Sequence, residues 1–247
     1  MRLRNIPEAK EIVAGSRFVV QKPEEFRGRW QTFTGGAPLH VEIGTGKGRF
    51  LMEMAAREPG IAFLGVERYE SVLLRAVEKM EGKPARDPAS LLERAEKAAS
   101  AALSEPAEAE EDRFVPPANL HFLRMDAREL PAVFDRGEVD RLYLNFSDPW
   151  PKARHEKRRL TSRVFLALYE QFLKTGGTLE FKTDNRDLFE FSVTEFTEAP
   201  HWTVTALTRD LHADPEMGAA NVMTEYERKF SALGNRICKL VAVFEGR

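Results

Sequence analysis

The sequence predicts an α/β fold built on a doubly wound, mostly parallel sheet of seven strands with helices on both faces. Seven short apolar segments are typical of buried strands, and amphipathic stretches with helical spacing lie between most of them. A glycine-rich turn joins the first predicted strand to a helix. Because parallel neighbours need crossover connections, this alternation indicates a parallel sheet covered on both sides. The predicted strands span residues 39–43, 62–66, 119–124, 139–146, 177–183, 202–207 and 238–244.

Composition limits the class of protein. The chain has 247 residues, of which 43% are hydrophobic and 31% charged, enough apolar material for a sizeable core. Its 37 Lys and Arg against 39 Asp and Glu exclude a uniformly basic nucleic-acid coat but leave room for a local basic patch. The single cysteine, Cys238, excludes an intramolecular disulfide and a cysteine-based zinc cluster and favours a reducing, cytoplasmic compartment. We expect Cys238 to be a buried small side chain, and no apolar run or signal-peptide core points to a membrane.

Charge divides the chain into three segments. Residues 1–35 carry seven basic and four acidic residues and form a basic N-terminal extension, and residues 36–247 form the main domain. An Ala- and Glu-rich insertion interrupts this domain at about 81–113. It holds nine acidic and five basic residues, with a predicted helical face at 91–102 and an acidic linker at 105–112. The insertion therefore supplies the acidic excess of the chain.

The glycine-rich turn is typical of a nucleotide-like cofactor site. Gly44, Gly46 and Gly48 stand at alternate positions where a strand becomes a helix, so a ligand can lie against bare backbone. Their spacing differs from the G-x-G-x-x-G pattern of dinucleotide sites, which disfavours NAD. Glu42, two residues before the turn, would repel phosphate and attract an ammonium group. These features favour S-adenosylmethionine.

Two further acids follow the next two strands. Glu67 comes 19 positions after Gly48, near the spacing of about 20 at which an acid binds ribose hydroxyls. Asp126 either accepts a hydrogen bond from the adenine amino group or simply forms a helix-capping pair with Glu129. Taken alone, Asp126 does not decide between these roles, but its order after Glu42 and Glu67 favours the cofactor.

The fourth strand ends in Ser147-Asp148-Pro149-Trp150-Pro151, at the sheet edge where open α/β sheets bind ligands. The motif resembles the acid-proline-aromatic sequence with which methyltransferases hold a planar nitrogen-containing substrate. An Asp-Pro turn that only ends the strand explains the prolines but not Trp150. Residues 152–159 with Arg163 then contain six Lys and Arg against one Glu. A solvated helix face is the ordinary explanation for such a run, but its position beside the strand end favours an RNA contact.

Five motifs together give a specific resemblance: EIGTGKG, FLGVER, FSDPWPKARHEKRR, FKTDN and TEYERKF. They resemble the bacterial tRNA (guanine-N7-)-methyltransferase family over nearly the whole chain outside 81–113. The resemblance implies a Rossmann-like class I methyltransferase domain at 36–247 and methyl transfer from S-adenosylmethionine to N7 of guanosine 46 in the tRNA variable loop. It implies tRNA as the partner. The sequence gives no sign of a required protein partner, and we expect a monomer or a homodimer. The insertion departs from the family pattern.

The resemblance also assigns residues, each at its matching motif position. Asp148 would be the catalytic residue and would contact the cofactor as well. The remaining cofactor contacts would be Glu42, Glu67 and Asp126, and the glycine turn itself predicts contacts at Gly44, Gly46 and Gly48. The substrate contacts would be Lys152, Asp184, Thr224, Glu225, Tyr226 and Glu227. The RNA contacts would be Arg154, His155, Glu156, Lys157, Arg158 and Arg159.

Several alternatives stand beside these assignments. Capping of the following helix is the alternative role of Asp184, and Thr224 with Glu227 has capping-box spacing, although a capping residue can still face a ligand. The extension 1–35 either lies along tRNA or is disordered before binding. A nicotinamide oxidoreductase, a methyltransferase for another RNA base and a noncatalytic tRNA-binding module are the competing functions. Only the family resemblance selects guanine N7.

Overall fold

Seven strands form one sheet in the order β3-β2-β1-β4-β5-β7-β6. The computed structural model describes residues 6–83 and 115–247, so the predicted helical face at 91–102 and the linker at 105–112 lie outside the described residues. β7 runs antiparallel to β5 and β6, and the other pairings are parallel, as the strand and helix alternation predicted. The strands are β1 (Leu39–Ile43), β2 (Ala62–Glu67), β3 (Leu120–Arg124), β4 (Val139–Asn145), β5 (Leu173–Thr183), β6 (Trp202–Thr208) and β7 (Cys238–Phe244).

Helices cover both faces of the sheet. In chain order they are α1 (Ala9–Gly15), α2 (Trp30–Phe33), α3 (Arg49–Arg57), α4 (Glu70–Met80), α5 (Leu130–Val133), α6 (Arg163–Tyr169), α7 (Arg186–Glu198) and α8 (Glu225–Ser231). Short 3₁₀ helices span Pro23–Phe26, Ala127–Glu129 and Ala153–Arg158. Side chains of α1, α3 and α4 pack into one apolar cluster, and those of α5, α6 and α7 pack into a second. No helix among residues 6–83 and 115–247 is long and apolar enough to cross a membrane.

Strand boundaries follow local backbone chemistry. β4 ends at Asn145, one residue before the predicted end, because Phe146 has a left-handed φ of 54°. β5 begins at Leu173, which pairs with Val139 ahead of a register shift, whereas the predicted start was residue 177. Cys238 is buried at the start of β7, as predicted, and burial raises the pKa of its thiol.

The described part of the N-terminal stretch packs onto the sheet domain. Val19 forms a parallel bridge with Phe122 of β3, and the indole of Trp30 is buried in the core. The carboxylate of Glu138 accepts hydrogen bonds from the backbone N–H groups of Gly28 and Trp30, both at 2.9 Å. Residues 6–35 therefore pack against the sheet domain. The domain boundary at residue 35 stays a prediction.

Candidate active site

The glycine turn lies at the carboxyl end of β1. Gly44, Gly46 and Gly48 have φ of 82°, 59° and 76°, in the left-handed region that favours glycine. A Cβ on Gly44 would meet no atom within 4 Å, whereas one on Gly48 would lie 2.9 Å from the Cβ of Ala76 in α4. Gly44 therefore offers open backbone to a ligand, and Gly48 lets α3 begin in close contact with α4.

Glu42 is a buried carboxylate beneath this turn. Its Oε2 accepts a hydrogen bond from Thr45 Oγ1 at 2.7 Å, and its Oε1 accepts one from Asn145 Nδ2, also at 2.7 Å. Burial raises the pKa of Glu42 to about 7, and the two hydrogen bonds oppose this rise. The sequence analysis missed Thr45 and Asn145, although a hydroxyl in the turn and an amide at the end of the neighbouring strand were the available signals.

Glu67 closes the turn from β2. Its two carboxylate oxygens accept hydrogen bonds from Gly46 N at 3.1 Å and Tyr69 N at 3.0 Å. Burial raises the pKa of Glu67, and the negative charge of Asp148 adds to the rise. Glu42, Glu67 and Asp148 thus lie around the same turn, as their positions at strand ends predicted.

Asp126 both caps a helix and borders a cleft. Its Oδ1 accepts from Arg128 N at 3.0 Å, so Asp126 caps the 3₁₀ helix as the alternative predicted, but its side chain pairs with Arg128 and not with Glu129. The guanidinium of Arg128 donates to both carboxylate oxygens at 2.9 and 2.8 Å, and this holds the pKa of Asp126 at about 2. A cleft of about 460 Å³ opens at the ends of β2 and β3. Its lining residues are Arg68, Tyr69, Glu70, Arg124, Met125, Asp126, Arg128 and Glu129.

The loop after β4 has an unusual backbone. Phe146 and Trp150 have φ of 54° and 43°, a left-handed conformation that costs non-glycine residues energy and persists only where the surroundings fix it. Asp148 lies between them and is exposed. The Trp150 ring lies 5.0 Å from the Arg158 guanidinium and 5.7 Å from the perpendicular His155 ring. These contacts give Trp150 a structural role that a simple Asp-Pro turn did not predict.

The basic run forms the 3₁₀ helix Ala153–Arg158, preceded by the exposed Lys152. Its exposed members are Arg154, Glu156, Lys157 and Arg158, and His155 is half-buried. Arg159 differs from the others because its guanidinium faces the protein. It donates to Pro149 O at 3.0 Å and Trp150 O at 3.2 Å, and it lies 4.3 Å from the Phe191 ring.

Asp184 follows β5 and faces α8. Its Oδ2 accepts from Asn235 Nδ2 at 2.9 Å and Tyr226 Oη at 3.3 Å. The capping alternative for Asp184 is wrong, because α7 is capped by Asn185, whose Oδ1 accepts from Leu188 N at 2.8 Å. The neighbouring residue satisfies the helix N-terminus, so Asp184 is left facing the tyrosine and asparagine.

The TEYE segment begins α8 and is held from several sides. Thr224 caps the helix by accepting from Glu227 N at 3.0 Å, as the capping alternative predicted. Glu225 forms an ion pair with Lys79, whose ammonium also donates to Lys47 O in the glycine turn. Tyr226 is exposed, and its ring stacks on that of Phe230 with 4.1 Å between the ring centroids. The segment is therefore connected to the cofactor turn as well as to Asp184.

Glu227 is fully buried and belongs to an ionic network that the sequence did not reveal. It accepts from Lys182 Nζ at 2.7 Å, from Asn221 Nδ2 at 2.6 Å and from His212 Nε2 at 2.9 Å. Burial alone would raise the pKa of Glu227, but the Lys182 ammonium brings it below its ordinary value. Lys182 also donates to Val222 O at 2.8 Å, so the network anchors the chain before α8 to β5. The available signal was a lysine inside a buried strand.

These features surround a switch point of the sheet. β1 and β4 are parallel neighbours, and the strand order runs away from them in opposite directions. The open backbone at Gly44 and the buried acids Glu42 and Glu67 fit an adenosyl cofactor that ends in a cationic amino acid. The exposed Asp148 faces the same edge beside a basic helix. Fold and site together define a Rossmann-like methyltransferase.

Comparison with known proteins gives the family. A family described as "Putative methyltransferase" matches residues 36–240. The tRNA (guanine-N(7)-)-methyltransferase of Lachnoclostridium phytofermentans is 46% identical over 99% of both chains. The enzyme of the same name from Geobacillus sp. (strain WCH70) is 46% identical over 96% of this chain and 93% of its own. This protein belongs to the tRNA (guanine-N(7)-)-methyltransferase family.

A solved structure supports the fold. The 16S rRNA (adenine(1408)-N(1))-methyltransferase from Catenulisporales acidiphilia has a TM-score of 0.55 at 19% identity, and the match covers 95% of this chain and 99% of that one. At this level of identity the likeness concerns the fold alone. It agrees with the Rossmann-like sheet predicted from the sequence.

Proposed function

We propose that this protein transfers the methyl group of S-adenosylmethionine to N7 of a guanine in tRNA, and that the acceptor is guanosine 46 of the variable loop. Its family membership supports the reaction. The observation that carries the proposal is the exposed Asp148, which lies between the left-handed residues Phe146 and Trp150 on the loop after β4, the parallel neighbour of β1. This arrangement brings a hydrogen-bond acceptor for a base next to the cofactor turn.

The chemistry requires positioning more than proton transfer. Guanine N7 carries a lone pair and no proton, so it can attack the methyl carbon directly without a general base. S-adenosylmethionine supplies an electrophilic methyl group on a sulfonium. The protein contributes by holding the acceptor in line, which replaces much of the entropy cost of an encounter. Asp148 is accordingly assigned to positioning and charge stabilisation and not to proton abstraction.

The cofactor side of the site is formed by the ends of β1, β2 and β3. Glu42 would hold the amino-acid end, where its charge favours an ammonium group, and Glu67 would hold the ribose hydroxyls. Gly44 and Gly46 provide open backbone for close approach. Asp126, already fixed by Arg128, borders the cleft in which the adenine would lie.

The acceptor side is formed by the loop after β4, the end of β5 and α8. A carboxylate can accept hydrogen bonds from guanine N1–H and the exocyclic amine, and Asp148 is placed for this task. Asp184 has one oxygen engaged by both Asn235 and Tyr226, which orients the carboxylate. Its negative charge would favour the positive charge that develops on the methylated purine. The exposed Lys152 would hold a phosphate or a base oxygen.

The tRNA backbone would contact the exposed basic face of Ala153–Arg158. Arg154, Lys157 and Arg158 are exposed there, next to the loop that carries Asp148. Residues 1–35 would extend this electrostatic contact. Cytoplasmic tRNA is the substrate we infer, and we infer a monomer or a homodimer that needs no other protein.

The test uses purified protein, methyl-labelled S-adenosylmethionine and two unmodified tRNA transcripts that differ only in having G or A at position 46. We expect label in the G46 transcript alone, recovered as N7-methylguanosine and located by strand cleavage at that base. Equal labelling of both transcripts would refute the assignment of position 46. Tight binding of both without label would favour a noncatalytic tRNA-binding module.

A further inference from the structure

We infer that Arg159, the last residue of the basic run, is a positioning residue that holds the Asp148 loop and does not bind tRNA phosphate. The inference rests on the proposed function of that loop. Arg159 donates Nε–H to Pro149 O at 3.0 Å and Nη2–H to Trp150 O at 3.2 Å. These are the two carbonyls that follow Asp148 in the chain.

The fork of an arginine suits this task. Two consecutive carbonyls accept from two N–H groups of one planar guanidinium, which a lysine ammonium cannot reproduce with the same geometry. The same guanidinium lies 4.3 Å from the Phe191 ring. Since Phe191 belongs to α7, Arg159 fastens the loop to a helix packed on the sheet.

The backbone of the loop explains why a clamp is needed. Trp150, at φ 43°, and Phe146, at φ 54°, hold a conformation that persists only where surrounding contacts determine it. Arg159 contacts the carbonyl on each side of the Trp150 N–H and Cα, where the strain lies. Phe146 is held separately, by its ring contact with Tyr226 at 4.8 Å. Loss of the clamp should let the loop, and Asp148 with it, relax.

Its neighbour Arg158 has a different environment. Arg158 is exposed and its guanidinium lies 5.0 Å from the Trp150 ring, so its charge can reach a phosphate without breaking an internal hydrogen bond. For Arg159 to bind a phosphate with the same N–H groups, both loop carbonyls would lose their donors. Two adjacent arginines of one basic run therefore do different work.

The experiment compares Arg159→Lys, Arg159→Ala and Arg158→Ala by single-turnover methylation at saturating tRNA and by tRNA affinity at several salt concentrations. Arg159→Lys is decisive because it keeps the charge and loses the fork. We expect its rate to fall about tenfold, the effect of losing one hydrogen bond to a charged group, with the salt dependence of wild type. Arg158→Ala should keep most of the rate and lower the salt slope by about 1.

Arg209→Ala is the matched control. Arg209 makes two hydrogen bonds to Glu190 and lies 5.8 Å from the Phe189 ring, so it has similar contacts directed at α7 instead of the loop. We expect this variant to methylate like wild type. If Arg159→Ala fails to fold, the rate and salt dependence of Arg159→Lys are sufficient to test the inference.

The inference is overturned if Arg159→Lys keeps the wild-type rate, or if Arg159→Ala lowers the salt slope as Arg158→Ala does while retaining the rate. A wild-type protein that transfers no methyl group refutes the proposed function instead. In that case the NMR resonance of the Trp150 indole, assigned by its absence in Trp150→Phe, reports the state of the loop independently of activity. The chemical shift of this resonance should change in Arg159→Lys and stay the same in Arg209→Ala.

Discussion

Replacing Glu42 with Gln should stabilise the cofactor-free protein at alkaline pH and weaken cofactor binding. Glu42 is almost completely buried, and burial raises the pKa of its carboxyl from 4.5 to about 7. A glutamine can keep both contacts, since its Oε1 accepts from Asn145 and its Nε2 donates to Thr45 Oγ1. The substitution therefore removes a buried charge and leaves the packing in place.

The magnitude and sign follow from the two pKa values. Between pH 4.5 and about 7 the folded protein retains a proton that the unfolded chain has lost, so the free energy of unfolding of wild type falls as pH rises. Each pH unit in this interval is worth about 1.4 kcal/mol, and the whole interval corresponds to about 3 kcal/mol. Glu42→Gln escapes this loss. The free energy of unfolding of the variant should exceed that of wild type by up to about 3 kcal/mol at pH 8 and by much less at pH 5.

The assay is urea unfolding of both proteins at pH 5 and pH 8 without cofactor, with Glu216→Gln, a change at an exposed carboxylate, as the control. Subtracting the free energy of unfolding of wild type from that of the variant at each pH isolates the contribution of Glu42 from those of other titrating groups. Cofactor affinity, measured by calorimetry, should rise with pH up to about 7 in wild type and be weak and nearly flat in Glu42→Gln. An equal stability difference at both pH values, or a variant less stable at pH 8, would refute the reasoning.

Three further predictions concern the acceptor side. Asp148→Ala should lower the single-turnover methylation rate by about 100-fold because the base is no longer held in line with the methyl group, while tRNA affinity changes little because phosphate contacts supply most of it; a rapid-quench assay that shows the reverse pattern would contradict its role. Lys182→Met should lower the free energy of unfolding by about 3–5 kcal/mol because Glu227 is left buried without its cation, and adding Glu227→Gln should recover part of the loss; chemical denaturation measures both, and an unchanged midpoint would count against the ion pair. Lys157→Ala with Arg158→Ala should reduce the slope of log affinity against log salt by about 1–2 in filter binding, and an unchanged slope would remove this face from the RNA interface.

The fold was predictable because the strands are short apolar segments with clear polar or glycine boundaries. Each of the seven was located within a few residues, including β7, although its antiparallel direction does not follow from the alternation of strands and helices. Five strand ends differed, four of them by one residue and the start of β5 by four residues. The left-handed Phe146 ended β4 early, and pairing of Leu173 with Val139 extended β5.

The carboxylates at the strand ends could be predicted because parallel strands bring their carboxyl ends to one edge. The role of each charged residue at that edge could not be predicted from the sequence. Arg158 and Arg159 are adjacent and identical in type, yet one is exposed and the other binds loop carbonyls. Asn185 caps α7 in place of Asp184, and Glu227 is occupied by Lys182. Such differences depend on side-chain direction, which only the packed structure fixes.

The most direct test of the central claim is single-turnover methylation of a tRNA in which guanosine 46 is replaced by 7-deazaguanosine. This base keeps the N1–H and exocyclic amine that Asp148 would bind but has a carbon with no lone pair in place of N7. We predict binding equal to that of the guanosine transcript and no methyl transfer. Labelling of the 7-deazaguanosine transcript would show that N7 is not the acceptor and would contradict the account.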